Sequence, residues 1–430
     1  MSHHRLRAAA GASPADPYFS STSLLLLGNG TNGGQNNTFV DGSTNNFTVT
    51  RNGNTTQGSF SPFTGVGGSG YFDGTGDYLS APASAAFQFG TGDFTIECWI
   101  NKASAANGSV VDARSGGTGA IPWAFYVDGN NYPYFYDGTS YTSSVAIANN
   151  TWNHIAISRS GGVLKIFVDG VQGYSASHSV SLNATGNLLI GGTSAYTNGY
   201  ISNLRILKGT ALYTTTFTPP TAPLTAITNT SLLLNFTNGS ILDSTGKNNL
   251  ETVGDAQIST SVKKFGTGSL NFDGTGDYLS VPSTPNLAFG TGDFTIELWA
   301  YLNSQGTFII YDPRTTEPQI VPVIFTYLGQ IKLYVNGADR IAGSTLSAAT
   351  WHHIAVCRSG SSTKLFVNGT QSGSTYSDSN NYIQTRVVFC VYPGNLTSYF
   401  NGYIDDLRIT KGVARYTANF TPPSAQLPAR

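Results

Sequence analysis

One internal repeat limits what this chain can fold into more than any other feature. Phe72-Asp73-Gly74-Thr75-Gly76-Asp77-Tyr78-Leu79-Ser80 returns unchanged as Phe272-Asp273-Gly274-Thr275-Gly276-Asp277-Tyr278-Leu279-Ser280, 200 positions later. Phe89-Gly90-Thr91-Gly92-Asp93-Phe94-Thr95-Ile96-Glu97 is matched at 289–297, and Thr151-Trp152 with His154-Ile155-Ala156 is matched by Thr350-Trp351 with His353-Ile354-Ala355. Asn198-Gly199-Tyr200-Ile201 and Leu204-Arg205-Ile206 correspond to Asn401-Gly402-Tyr403-Ile404 and Leu407-Arg408-Ile409, and Phe217-Thr218-Pro219-Pro220 to Phe420-Thr421-Pro422-Pro423. Thr22-Ser23-Leu24 and Thr230-Ser231-Leu232 open the two copies. A period this long exceeds that of a solenoid repeat or propeller blade, so each copy is expected to be a complete domain with its own core. The boundary is expected near residues 222–227, giving an N-terminal arm over 1–20, a first domain over 21–224 and a second over 225–430.

Within a copy, apolar residues recur with period two. Phe94, Ile96, Cys98 and Ile100 oppose Thr95, Glu97 and Trp99, and Ile155 and Ile157 oppose Trp152, His154 and Ala156. That is the pattern of half-buried strands. Asp128-Gly129, Asp169-Gly170, Asn336-Gly337 and Asn368-Gly369 stand between such runs, where type I′ hairpin turns take these residues. No stretch has a long helical period. About a dozen short strands per copy, with no helix to cover a flat sheet, predict an all-β fold of two packed sheets.

The polarity comes from Gly, Ser, Thr and Asn, since charged residues are only 10% of the chain. With a net charge of −1 and no stripe of Lys and Arg among aromatics, neither nucleic acid nor membrane insertion is an expected partner. The three cysteines are too few for a disulfide framework or a zinc site. Cys98 reads as a buried free thiol, and pairing of Cys357 with Cys390 stays open. The N-terminal segment falls short of the roughly 7–15 apolar residues of a signal-peptide core, so no Sec-type leader is read there. Asn-x-Ser/Thr triplets such as those at Asn46, Asn183, Asn235 and Asn395 are read as composition and not as glycosylation sites.

Five blocks appear in the same order in both halves: Phe-Asp-Gly-Thr-Gly-Asp-Tyr-Leu, Asp-Phe-Thr-Ile-Glu-x-Trp, Trp-x-His-Ile-Ala, a Phe-Val-Asp/Asn-Gly hairpin and Gly-Tyr-Ile-x-x-Leu-Arg-Ile. Together they resemble the laminin-G-like family, and the resemblance implies two tandem concanavalin A-like jelly-roll β-sandwiches. The ending Lys-Gly-x-Ala-x-Tyr-Thr-x-x-Phe-Thr-Pro-Pro, at 208–220 and 411–423, is similar to the form common in bacteriophage virion proteins and in some bacterial surface proteins. The leading expectation is therefore a non-enzymatic virion surface protein, a tail fibre, spike or capsid decoration. It would be held to other virion proteins by the arm, which carries Arg5, Arg7, Pro14 and Pro17, would attach to a host surface polysaccharide, and would form a homo-oligomer if a fibre. A bacterial cell-surface lectin or adhesin is the alternative, and a glycoside hydrolase of the same fold the third reading.

Glycosidic chemistry needs two carboxylates about 5–9.5 Å apart, whereas Asp93 and Glu97, four residues apart on one strand, stand roughly 13 Å from each other. His154 and His353 read as structural hydrogen-bonding residues, and Arg205 and Arg408 as partners of Glu97 and Glu297 across neighbouring strands. For carbohydrate, the candidates are Trp123, Tyr126, Tyr132, Tyr134, Tyr136 and Tyr141, whose rings can stack on sugars if they are exposed. The competing reading packs them against the partner sheet. The equivalent stretch of the second copy, 320–334, is mainly aliphatic, which places any glycan site in the first domain. Calcium is the one cofactor considered. Asp73 and Asp77, with Asp273 and Asp277, flank Gly-Thr-Gly turns able to present oxygens to a hard cation, and are also ordinary turn residues.

Overall fold

A computed structural model describes residues 15–114, 122–192 and 194–429. Strands dominate, and the only helical elements among these residues are three single-turn 3-10 segments. The chain forms two lobes, each of two antiparallel sheets around one apolar core. In lobe 1 the front sheet runs Ser140–Thr142, Pro133–Tyr136, Ala124–Val127, Gly108–Asp112, Leu188–Ile190, Tyr78–Ala81, Thr48–Asn52, Phe39–Val40. The back sheet runs Val171–Ser177, Val163–Val168, Asn153–Ser160, Phe94–Lys102, Asn198–Lys208, Ser69–Asp73, Thr56–Gly58. The alternation read from sequence holds: Phe94, Ile96, Cys98, Ile100, Ile155 and Ile157 all lie in the lobe 1 core. Lobe 2 repeats the arrangement, with Phe308–Asp312, Val323–Tyr327 and Gln330–Val335 in its front sheet and Phe294–Leu302, Trp351–Ser359 and Asn401–Lys411 in its back sheet.

The lobes are not the sequence copies. Thr22–Leu26, which opens the first copy, pairs with Asn401–Lys411 at the far end of the second, Leu24 opposite Ile409 and Leu26 opposite Leu407. Thr230–Leu234, which opens the second copy, pairs with Asn198–Lys208 of the first, Leu232 opposite Ile206 and Leu234 opposite Leu204. Leu24 and Leu26 are consequently buried in the core of lobe 2, and Leu232 and Leu234 in that of lobe 1. This corrects the expectation that each copy carries its own complete core. Two buried aspartates brace the exchange: Asp41 Oδ1 accepts the Leu233 amide at 3.0 Å, and Asp243 Oδ1 accepts the Leu25 amide at 3.0 Å. Where the two crossing segments meet, buried Asn36 donates to the carbonyls of Ile241 (2.7 Å) and Leu250 (2.9 Å) and accepts from the amides of Ser240 (2.8 Å) and Ile241 (2.9 Å). Gly68 lets the exchanged strand approach, because a Cβ there would lie 1.9 Å from the Phe236 carbonyl oxygen.

The described part of the N-terminal arm docks on lobe 2 of its own chain. Asp16 receives Arg408 Nη1 at 3.0 Å and Arg415 Nη2 at 2.8 Å, and the Arg415 guanidinium lies 5.4 Å from the Tyr18 ring centroid. Arg5, Arg7 and Pro14 lie outside the described residues. Positive φ angles at both central residues bear out the type I′ turns at Asp169-Gly170, Asn336-Gly337 and Asn368-Gly369. Asp128-Gly129 differs: its strands pair, but 128–132 form a longer loop, in which Asp128 Oδ1 accepts the amides of Asn130 and Tyr132 and Asn131 takes the left-handed conformation.

Candidate functional site

The two sheets of each lobe turn chemically different outer faces to their surroundings. On the back sheet of lobe 1, Glu97 and His154 point outward from paired strands and are fully buried by the chain that follows Lys208. Tyr213 and Phe217 stack at 3.7 Å and lie edge-on over His154 and Phe167. A Cβ on Gly170 would stand 1.8 Å from the Phe217 carbonyl oxygen, so that hairpin requires glycine for the chain to lie down. Glu97 accepts Arg205 Nη2 at 2.6 Å and the Tyr213 hydroxyl at 2.7 Å, and lies 3.2 Å from His154 Nε2. Lobe 2 repeats the set: Glu297 binds Arg408 at 2.7 Å and the Tyr416 hydroxyl at 2.8 Å, and lies 3.3 Å from His353. Burial pushes the Glu297 carboxyl up, but the His353 hydrogen bond and the Arg408 charge outweigh it and hold it down at about 2. The expected Arg–Glu pairs and structural histidines are thus present. The repeated Lys-Gly-x-Ala-x-Tyr-Thr-x-x-Phe-Thr-Pro-Pro segment is the lid that seals them.

The front sheet of lobe 1 carries the aromatic candidates, and the pleat divides them. Trp123 stacks on Phe89 within the core at 4.9 Å, and its Nε1 donates to the Phe87 carbonyl at 2.9 Å. It is correctly an apolar core residue and not a sugar platform. Tyr126 faces outward but is also buried, its ring beneath Arg114 and stacked on Tyr134 at 5.4 Å, its hydroxyl bonded to Asp112. It too is corrected, from contact surface to support. Tyr134 and Tyr136 alternate with core Phe135 and remain half-buried on the outer face, and Tyr132 is half-buried in the loop before them. Tyr141 packs against the core beside Tyr174 and His178.

Sequence reasoning missed the residue that organises this face. Arg114 Nε lies 3.0 Å from both oxygens of Asp112, Nη2 lies 2.6 Å from Oδ2, and the guanidinium stands 4.9 Å and 5.3 Å from the rings of Tyr126 and Tyr136. Burial raises the Asp112 carboxyl, and hydrogen bonds from Arg114 and Tyr126 bring it below its ordinary value. The signal was present as an Asp-x-Arg recurring 200 positions apart, Asp112/Arg114 and Asp312/Arg314. A flat guanidinium pinned between phenol rings gives a rigid surface with both apolar faces and hydrogen-bonding edges.

The acidic turns differ between lobes. Asp77 is buried, with Oδ1 accepting the Asn54 amide at 2.7 Å and Oδ2 the Asp73 amide at 3.1 Å; Asp73 Oδ1 accepts the Thr75 amide at 2.7 Å. In lobe 2 Asp255 replaces Asn54, and ligand atoms of Asp255, Asp273 and Asp277 converge within 4.8 Å. Burial, with the neighbouring Asp255, pushes the Asp277 carboxyl up to about 6. Asp273 and Asp277 brace their turn with the same hydrogen bonds as Asp73 and Asp77, and the third carboxylate, Asp255, makes of them a donor set of the kind a hard cation takes. The three cysteines are free and buried, Cys357 under the lid of lobe 2 and Cys390 in its core.

A family model described as the Concanavalin A-like lectin/glucanases superfamily matches residues 73–212 and 273–415. A search of curated proteins finds no match. Among solved structures, domains LG4-5 of the mouse laminin alpha1 chain are 14% identical, with 83% of this chain and 93% of that chain covered at a TM-score of 0.31. Domain 4 of AbnA, a GH43 extracellular arabinanase from Geobacillus stearothermophilus solved with arabinotriose, is 19% identical over 40% of this chain and 87% of that one, at 0.32. The binding domain of Botulinum Neurotoxin DC in complex with SialylT is 11% identical over 95% and 98%, at 0.29.

Proposed function

The chain belongs to the Concanavalin A-like lectin/glucanases superfamily, with two tandem laminin-G-like copies, and from that premise we propose that it is a non-enzymatic glycan-binding protein displayed on a bacteriophage virion. The observation that carries the reading is the outer face of the lobe 1 front sheet. Tyr134 and Tyr136 offer rings for the C–H faces of sugars, and Arg114, held by Asp112, offers fixed donors at their edge. Preorganisation lowers the cost of binding a polysaccharide, because the side-chain entropy of ordering is already spent in the folded protein. What supports a non-enzymatic role is the state of the strand carboxylates: Glu97 and Glu297 are ion-paired to Arg205 and Arg408 and fully buried under the lid, out of a substrate's reach. The resemblance of the repeated lid segment to phage virion proteins, and the scarcity of charge, support the placement on a particle.

Labelled full-length protein is expected to bind bacterial cells and their purified polysaccharides saturably, and Tyr134→Ala or Tyr136→Ala to weaken that binding at least tenfold with the fold intact by circular dichroism. Unchanged binding in both variants would remove lobe 1 as the site. The same titration with calcium and with chelator tests the Asp255, Asp273 and Asp277 cluster. The virion placement predicts that the chain sediments with nuclease-resistant particles and is labelled on their exterior by antibody. Recovery in a cell-envelope fraction alone would instead favour a bacterial surface lectin.

A further inference from the structure

The front sheet of lobe 2 carries a cleft of about 300 Å³. Its floor is aliphatic, made by Ile309 and Val323, which lie on the outer face of the sheet away from the core. Phe325, Tyr334 and Tyr392 are half-buried around that floor. Arg314 is fixed by Asp312, with Nε 2.9 Å from Oδ1 and 3.0 Å from Oδ2, and its guanidinium lies 5.3 Å from the Tyr334 ring and 4.8 Å from that of Tyr392. Glu317 closes the polar edge: one oxygen pairs with Arg314 Nη1 and the other lies 3.3 Å from the Tyr334 hydroxyl.

Charge and size narrow the occupant. Asp312 is fully buried and neutralises Arg314, which leaves the surplus negative charge of Glu317 at the mouth, with its side chain 34% exposed. An anionic ligand would meet that carboxylate first, whereas hydroxyl groups can donate to it. The volume lies at the lower limit of ligand clefts, about 300–1,000 Å³, and so suits one sugar ring and not a long chain. An apolar floor with aromatic walls on one side and a carboxylate, a phenol and a guanidinium on the other matches a ring with one C–H face and equatorial hydroxyls.

We propose that this cleft is a second carbohydrate site, specific for a single neutral hexopyranose residue, with Glu317 accepting its hydroxyls and Tyr392 packing on its ring. It is separate from the lobe 1 face and does not depend on it. The test is saturation-transfer NMR on the full chain with methyl glycosides of glucose, galactose, mannose and N-acetylglucosamine, and with glucuronate as the anionic probe. Transfer is expected from at least one neutral glycoside and not from glucuronate. With Tyr136→Ala in place to remove the lobe 1 contribution, transfer should persist, and adding Glu317→Gln or Tyr392→Ala should lower it at least tenfold, each variant checked for an unchanged melting profile. No transfer from any neutral glycoside overturns the proposal, as does transfer that survives both lobe 2 substitutions in the Tyr136→Ala background or preference for glucuronate. Transfer lost only in Tyr136→Ala would leave the lobe 1 reading standing and this one refuted; loss of cell binding in lobe 1 variants says nothing about this cleft.

Discussion

Asp406 shows how one atom's difference between the copies becomes a pH dependence. A bulge in Asn401–Lys411 holds Asp406 at a φ of 48°, and the matching bulge in lobe 1 holds Asn203 at 51°. Asn203 Oδ1 accepts the Leu224 amide at 2.7 Å and its Nδ2 donates to Ser202 at 2.8 Å. Asp406 accepts the corresponding Leu427 amide at 2.8 Å, but its other oxygen is buried without a hydrogen-bond partner, and Asp405 adjoins it. Burial, joined by the Asp405 charge, pushes Asp406 up to about 8. An acid whose pKa rises on folding keeps a proton that the unfolded chain releases, so its contribution is whole below the ordinary value of 3.8 and declines as pH rises toward 8. The slope can reach about 1.4 kcal/mol per pH unit. Asp406→Asn, whose amide can donate to Asp405, is expected to flatten the fall in melting temperature between pH 5 and 8 and to be the more stable protein at pH 8. Parallel profiles for the two proteins would show that Asp406 is not the titrating group.

At the scale of single elements, the exchanged strands make a directional prediction. Leu24 is fully buried in lobe 2, so Leu24→Ala should cost roughly 2–5 kcal/mol there. Its partner strand is Asn401–Lys411, and well below the melting temperature, where exchange proceeds by local opening, hydrogen exchange is expected to quicken more in that strand than in Asn198–Lys208. Leu232→Ala should give the mirror result, with protection lost in Asn198–Lys208. If each copy instead closed its own sandwich, the two substitutions would exchange effects. The lid follows a similar logic on the other face of the same sheet. Tyr213 and Tyr416 complete the hydrogen bonding of Glu97 and Glu297, which explains why a segment without regular secondary structure repeats so closely in sequence.

For the molecule as a whole, the exchange ties the lobes into one thermodynamic unit. Neither core is complete without a strand from the other copy, and the crossings are joined through Asn36 and through Asn249, which bonds Ser69 at 2.9 Å and the Phe60 amide at 3.1 Å. Calorimetry is expected to show a single transition whose van't Hoff and calorimetric enthalpies agree, where independent lobes would give two.

The sequence alone determined the all-β class, the duplication, most hairpin turns, the Arg–Glu pairs and the buried cysteine Cys98, because each is written in local spacing or in a motif that occurs twice. It could not assign the opening strands. Thr22–Leu26 and Thr230–Leu234 are the same five residues, Thr-Ser-Leu-Leu-Leu, so no propensity or pairing preference distinguishes them. Nor could it sort Trp123 and Tyr126 from Tyr134 and Tyr136, since an aromatic residue satisfies either side of a sheet and only the pleat and the packed neighbour decide which side is wet. The arginine clamps, formed where Arg114 meets Tyr136 and Arg314 meets Tyr334 and Tyr392, exist only after strands far apart in sequence lie side by side. Pairing across the chain is chosen by the geometry of the connections and the burial of a shared core, which are properties of the assembled fold and not of any segment.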